Sequence, residues 1–298
     1  MIYDWLGADF LPYAITYGLS FIVLLVGSLT DLKTREVPDW VNYGLIISGV
    51  SLNLLFSVIY MDVSFIINSL AGLLIFFGFS YLMFRFGQWG GGDSKMLMGL
   101  GAMIGIDVRF RNPQFLSGFF INTLFAGAVY GLLWSIFLAF RNRKKFMKEI
   151  NKELSRKNFV KIKKIMLTCL ALLLAALFFI KVFYAKIVIL SAAFLILTTF
   201  YVWVFVKAIE KSAMYRLVEP SKLTEGDWIV NDVHIGRQYI CGPKDLGIEK
   251  RQIRKLVEFY KKGKVKKILI KEGIPFVPSF LIAFIITFLL GDPLFWLL

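Results

Sequence analysis

Long apolar stretches separated by short polar breaks run through most of the chain. The apolar runs cover roughly residues 11–30, 41–60, 65–84, 96–106, 114–140, 165–180, 187–206 and 274–290. About 20 apolar residues cross a bilayer as a helix, so the pattern predicts an all-α polytopic membrane protein of about eight transmembrane spans. The fourth run, of about 11 residues, is too short for a full crossing at 1.5 Å per residue. It is expected to be a half-span surrounded by protein. The second run is softened by Asn42, Gly44, Ser48 and Asn53.

Only residues 207–273 have soluble character. "EGDWIVNDVHIGRQYICG" mixes β-branched and aromatic residues with glycines, which predicts a hairpin or two. In "PKDLGIEKRQIRKLVEFYKKG", Ile248, Ile253, Leu256, Val257 and Tyr260 fall near helical spacing and Gly263 closes the run. The expected organisation is a membrane core over 1–206 with a basic cytoplasmic loop at 141–164. A small α+β cytoplasmic subdomain over 207–273 follows, inserted before a last span within 274–298.

Composition supports the membrane reading: 58% of residues are hydrophobic, 30 are phenylalanine, and mean hydropathy is +0.69. The first run follows "MIYDWLGADF", which has two acids and no basic segment, so it is expected to stay as span one and not be cleaved as a signal peptide. The net charge of +15 changes the picture through its distribution, because 27 of the 35 Lys and Arg lie in 141–164 and 207–273. Basic residues gathered between spans mark the cytoplasmic side and give no sign of nucleic acid. The alternation puts both termini outside, with Arg109 and Arg111 in an exterior loop blunting the signal without reversing it. Contact with membrane lipids is expected, and the oligomeric state is left open. Cys169 and Cys241 form no framework or C-x-x-C motif.

Outside the cytoplasmic loops the chain carries nine acids: Asp4, Asp9, Asp31, Glu36, Asp39, Asp62, Asp93, Asp107 and Asp292. Asp31 follows "FIVLLVGSLT" at the cytoplasmic end of span one, and Asp93 follows "GQWGGG" at the cytoplasmic start of the short fourth span. Two carboxylates meeting in a partly dehydrated site cannot both ionise, so they share a proton. The ionised member then takes a proton from water while the protonated member polarises a carbonyl, chemistry that needs no metal or cofactor. Gly90, Gly91 and Gly92 would admit an extended peptide and unusual backbone angles. Plainer readings stand beside these. The glycines alone suit a turn between spans, and Asp31 alone suits an interfacial acid capping a helix or pairing with Lys33 or Arg35.

Taken together, "DLKTREVP" (Asp31 to Pro38), "GGGD" (Gly90 to Asp93) and "GIPFVPSFLIAF" (Gly273 to Phe284) resemble the prepilin peptidase family of G-x-G-D membrane aspartic proteases, its archaeal members in particular. The resemblance implies Asp31 and Asp93 as the catalytic pair, Gly90 and Gly92 as motif glycines, and Lys95 as the lysine that commonly follows two residues on. It also implies that Pro38 opens the second helix and that Pro275, Phe276 and Pro278 shape the start of the last span. The implied activity is removal of a short, basic, glycine-ended leader from type IV pilin-like precursors at the cytoplasmic membrane face. A smaller related group processes archaellin precursors. The paired C-x-x-C motifs of the methyltransferase-bearing relatives are missing, so peptidase activity alone is expected. Glu36 and Asp39 are candidates to receive the basic leader, Asp39 having a rival role as helix N-cap. Lys95 is expected to snorkel to the interface.

Other classes fit less of the pattern. The presenilin and signal-peptide-peptidase group would bring a Pro-Ala-Leu motif and a Tyr-Asp pair, but Thr30 precedes Asp31. A cation or proton-coupled transporter would place acids deeper in the spans, often with internal symmetry. An assembly factor would leave both aspartates dispensable. His234 and Cys241 have no neighbour suggesting catalysis, and Trp89 and Trp203 read as interfacial aromatics.

Overall fold

A computed structural model describes residues 10–108, 115–236 and 238–292. Asp4, Asp9, Arg109, Arg111 and both termini lie outside the described residues. Among the described residues six helices are long and apolar enough to cross a membrane: α1 (Phe10–Thr34), α2 (Asp39–Ile59), α3 (Ser64–Arg85), α5 (Phe115–Arg141), α7 (Lys157–Phe179) and α8 (Phe183–Ile209). Two apolar helices are shorter at 14 residues each, α4 (Gly91–Ile104) and α10 (Val277–Leu290). The chain is a multi-pass membrane protein, and rows of large apolar side chains such as Ile47, Leu74 and Leu133 face outward, as lipid-facing positions do.

The short fourth helix is the best-buried element. Met96, Leu97, Leu100 and Met103 are inaccessible or nearly so, packed among Leu24, Leu45, Phe76 and Phe280. Glycines bring its neighbours against it. A Cβ on Gly49 of α2 would lie 2.7 Å from the Met103 backbone nitrogen, and one on Gly72 of α3 would lie 2.3 Å from the Gly101 carbonyl oxygen. Asn53 then donates across to the Met103 carbonyl (3.1 Å) and Ser69 to that of Ala102 (2.5 Å). Small residues allow close backbone approach, and the polar side chains fasten it.

The basic segment 141–164, expected as a loop, is helical. It forms α6 (Arg143–Leu154) and the first turns of α7. Ile150 and Leu154 recur at helical spacing and pack on Phe159, Phe200 and Val204, while the lysines stay outside. An apolar stripe hidden among the charges explains the difference.

After α8 a π-helical turn, Glu210–Met214, leads into the polar module. Its strands are β1 (Tyr215–Val218), β2 (Trp228–Ile229), β3 (Val233–Ile235), β4 (Gln238–Cys241) and β5 (Ile268–Lys271). β5 lies between β1 and β2, antiparallel to both, while β3 and β4 form the expected hairpin. α9 (Lys250–Lys261) covers them, and Gly263 takes the left-handed conformation (φ 69°) just beyond it. Leu223, Ile229, Ile240, Cys241, Ile248, Leu256, Ile268 and Ile270 make a separate small core.

Ion pairs tie the module to the helices. Glu153 of α6 is 0% exposed and meets Lys211 and Arg156. Glu210 takes Lys207 (3.0 Å) and Lys271 at the end of β5 (2.6 Å). β5 runs on through Glu272 and Gly273 to the start of α10, so this joint sits only a few residues from the site described next.

Candidate active site

Asp31 lies on the last turn of α1 and is 5% exposed. Its Oδ2 accepts the backbone N–H of Val277 at 3.0 Å. Val277 is the first residue of α10, whose opening N–H groups lack partners within the helix, so Asp31 caps a helix 246 positions away. The residues around Val277 hold it there. Pro278 occupies the first turn, where a proline costs no hydrogen bond. The Phe276 ring packs on Gly127 of α5, where a Cβ would come within 2.6 Å of it, and beside Trp89 (5.8 Å between ring centres). Pro275 and Pro278 are buried.

Arg35, just past α1, has φ 63°, turning the chain toward Pro38 and α2. Its guanidinium donates to the Gly273 carbonyl (2.8 Å) and lies 5.4 Å from the Trp134 ring centre. The start of α10 is thus held at two points by the end of α1.

Asp93 is the third residue of α4, half-buried, and its Oδ2 accepts the Gly90 N–H at 3.0 Å. It caps its own helix, a favourable place for a carboxylate. Asp31 is close enough to act on Asp93 electrostatically. Beneath the two acids α1, α4 and α10 converge: a Cβ on Gly27 would lie 2.6 Å from Met96 Cε and 3.3 Å from Val277 Cγ1. Two acids from separate helices therefore share one corner, each at the N-terminus of a short helix.

The motif glycines act through lack of bulk. Gly90 has φ −71° and ψ 165°, and neither Gly91 nor Gly92 has a positive φ, so the unusual backbone angles expected of the run are not adopted. A Cβ on Gly90 would sit 3.3 Å from Asp93 Oδ2, and one on Gly92 would touch Val37 at 3.6 Å. In the loop before the motif it is Gly87 that is left-handed (φ 66°), and a Cβ there would stand 3.0 Å from the Trp228 ring of the polar module.

Lys95 reaches Asp39 on α2 (2.6 Å) and lies 5.1 Å from the Tyr43 ring centre, so it is paired across helices. Asp39 is the first residue of α2, and Pro38 occupies the cap position without a side-chain bond. Glu36 is exposed in the same loop. Trp89 is 7% exposed inside the core, because the loop before Gly90 folds over the bundle. Trp203 stacks on Phe159 at 4.4 Å, and His234 lies against Tyr239 (5.4 Å). Among the described residues no cluster of three His, Cys, Asp or Glu is arranged for a metal.

Sequence reading did not single out Arg35 as a clamp, the Val277 N–H as a ligand for Asp31, or the α5 face bearing Gly127, Tyr130 and Trp134. Backbone groups leave no residue-type signal. The α5 positions had one, a glycine and two amphipathic aromatics at helical spacing.

Fold and site together define a multi-pass helical membrane protein with a paired-aspartate corner at the ends of its helices. Residues 18–134, which contain both aspartates, match the type IV leader peptidase family. The chain is also similar to proteins named preflagellin peptidase. One from Methanococcus maripaludis is 33% identical over 133 residues, covering 42% of this chain and 56% of the relative. One from Methanocaldococcus jannaschii is 40% identical over 90 residues, 30% of this chain and 38% of the relative. A third, from Methanococcus voltae, is 30% identical over 139 residues, 43% and 58% respectively. The chain thus spans little more than half the length of these relatives at most.

Proposed function

We propose that this chain is an aspartic endopeptidase of the membrane that removes the short basic leader of type IV pilin-like precursors, with Asp31 and Asp93 as its catalytic pair. The observation that carries the reading is the convergence of the two carboxylates at one corner, within electrostatic reach of each other. In the proposed reaction the ionised aspartate takes a proton from a water molecule, whose oxygen adds to the scissile carbonyl carbon. The protonated aspartate gives its proton to the carbonyl oxygen. Collapse of the tetrahedral adduct then breaks the C–N bond: the departing nitrogen receives the proton held by the first aspartate, and one hydroxyl returns its proton to the second as the carboxyl C=O forms. Oxygen and protons come from water and the dyad alone, so the step takes no cofactor.

In this reading the core has about eight spans, with α4 and α10 as the short ones, both termini outside and the basic segments in the cytoplasm. The cut then falls where a basic leader meets a hydrophobic helix. Gly90 to Gly92 wall the approach of an extended peptide. Glu36 receives basic leader residues, since Asp39 is already engaged by Lys95. Residues 207–273 act as a cytoplasmic module seated on the core. A second reading with the same mechanism takes preflagellin (archaellin) precursors as substrate, favoured by the name shared by the three relatives.

The test is cleavage of two precursors by the purified chain in lipid, one pilin-like and one archaellin-like, each with a basic, glycine-ended leader. Cleavage of the first supports the main reading, and cleavage of the second alone supports the alternative. Cleavage of both that persists in Asp31→Asn and Asp93→Asn would remove the dyad from the mechanism.

A further inference from the structure

α5 presents Gly127, Tyr130 and Trp134 at a spacing that puts them along one face of the helix. That face runs beside the Asp31 corner. Gly127 takes the Phe276 ring, Asp31 and Arg35 are the charged groups that act on Tyr130, and Arg35 lies over Trp134. The Tyr130 and Trp134 rings stack on each other, with centres 5.9 Å apart and planes 28° from parallel.

Both residues end in a polar atom closed off from solvent. The Tyr130 hydroxyl and the Trp134 indole N–H are buried, yet neither has a hydrogen-bond partner among the described residues. A buried donor left without an acceptor is costly, and buried Tyr and Trp ordinarily find one. Here two such donors stand one helical turn apart on the face that flanks a proposed catalytic carboxylate. An extended peptide offers carbonyl oxygens along its length, and such a chain entering beside Asp31 and displacing the side chains that cover these donors, Arg35 over Trp134 among them, would present them to this face.

We propose that Tyr130 donates to the scissile carbonyl oxygen and that Trp134 donates to a neighbouring backbone carbonyl of the same substrate. The inference rests on the leader-peptidase reading and adds a substrate-binding and catalytic role to it. As water adds to the carbonyl carbon, the carbonyl π pair moves onto oxygen, and a fixed donor there is worth more in the transition state than in the ground state.

The test compares Tyr130→Phe, Trp134→Phe and Asp31→Asn, in lipid, on a precursor with a basic, glycine-ended leader. Tyr130→Phe keeps the ring and removes only the hydroxyl, so its melting temperature should hold or rise. Its kcat should fall about 100-fold, as when one oxyanion donor is removed. Its KM should stay within about threefold, because the lost interaction strengthens only in the transition state. Trp134→Phe should cost about tenfold in kcat/KM, the worth of one hydrogen bond. Unchanged kcat in Tyr130→Phe, a change confined to KM, or a lowered melting temperature accompanying the loss overturns the assignment while leaving the dyad intact. Cleavage retained by Asp31→Asn removes the dyad from the mechanism, and failure of the unaltered chain to cut the precursor overturns the leader-peptidase reading itself.

Discussion

The Asp31 carboxylate accepts the Val277 N–H at 3.0 Å, joining the last turn of the first helix to the first turn of the last. One oxygen of a proposed catalytic residue is thereby given to structure. Fold and reaction ask different things of that position, and substitutions separate them. Asp31→Asn keeps an oxygen acceptor for Val277 and should fold normally, whereas Asp31→Ala loses the cap at about 1 kcal/mol. Both should lower cleavage by at least about 100-fold, because neither can transfer the proton. Thermal unfolding in detergent, run beside precursor cleavage, reads the two effects independently. Equal stability of the Asn and Ala variants would contradict the capping role.

Asp93 should behave differently in one respect. Its cap partner, the Gly90 N–H, belongs to the same helix turn, so its loss loosens α4 locally without freeing α10. Asp93→Asn should therefore be as inactive as Asp31→Asn, with hydrogen exchange at Gly90 to Ser94 little changed. In Asp93→Ala exchange there should quicken while the start of α10 stays protected.

The placement of Asp93 depends on how closely α4 is gripped. Gly72 leaves no room for a methyl group, since its Cβ would stand 2.3 Å from the Gly101 carbonyl oxygen, and Gly49 faces the Met103 backbone in the same way. Backbone cannot swing aside as a long side chain does. Gly72→Ala and Gly49→Ala should each cost about 1–3 kcal/mol by overpacking. Gly44→Ala, with nothing within 4 Å of its Cβ, should be tolerated and serves as the control. A melting temperature for Gly72→Ala equal to that of Gly44→Ala would mean α3 and α4 are not this close.

Much of this arrangement could be read from residue order, and the missing parts share a physical cause. Long apolar runs specify spans because lipid demands them, and the glycines and aspartates stood out because they are costly there. Gly91 as the start of α4 was legible to within a few residues. The Val277 cap was not, because a backbone N–H looks the same at every position. The helix within 141–164 was missed because its apolar stripe of Ile150 and Leu154 is narrow and outnumbered by lysines. Pairing of β5 between β1 and β2 joins residues more than 40 positions apart, which local patterning does not encode.

Glu153 carries no exposed surface, and its partners Lys211 and Arg156 come from the joint below α8 and the turn before α7. A buried charge stripped of its partner is worse than no charge at all. Lys211→Met, which leaves buried Glu153 with Arg156 as its remaining partner, should destabilise by up to about 3 kcal/mol. The double variant Glu153→Leu, Lys211→Met should recover most of that loss. Limited proteolysis between residues 207 and 215 would follow it, with faster cutting in the single variant. Additive losses in the double variant would show that the pair is not coupled.

Cys241 offers a probe of the module's own opening. It is 0% exposed in the small core, and burial first, with Asp245 nearby second, pushes its thiol up to about 11. The folded state favours the protonated form, so this group's contribution to stability is complete below the ordinary thiol pKa. That contribution is lost as pH rises through about 11. At pH 8 an ordinary cysteine is already partly thiolate, the form that reacts, whereas a thiol titrating near 11 is almost wholly protonated. With Cys169→Ser as background, iodoacetamide should label Cys241 at least about 100-fold more slowly than a free thiol. Adding Lys211→Met should speed labelling if the joint holds the module closed, and intact-mass measurement reads both rates. Labelling at the free-thiol rate in the otherwise unaltered chain would mean that the core around Ile240 and Leu256 is open.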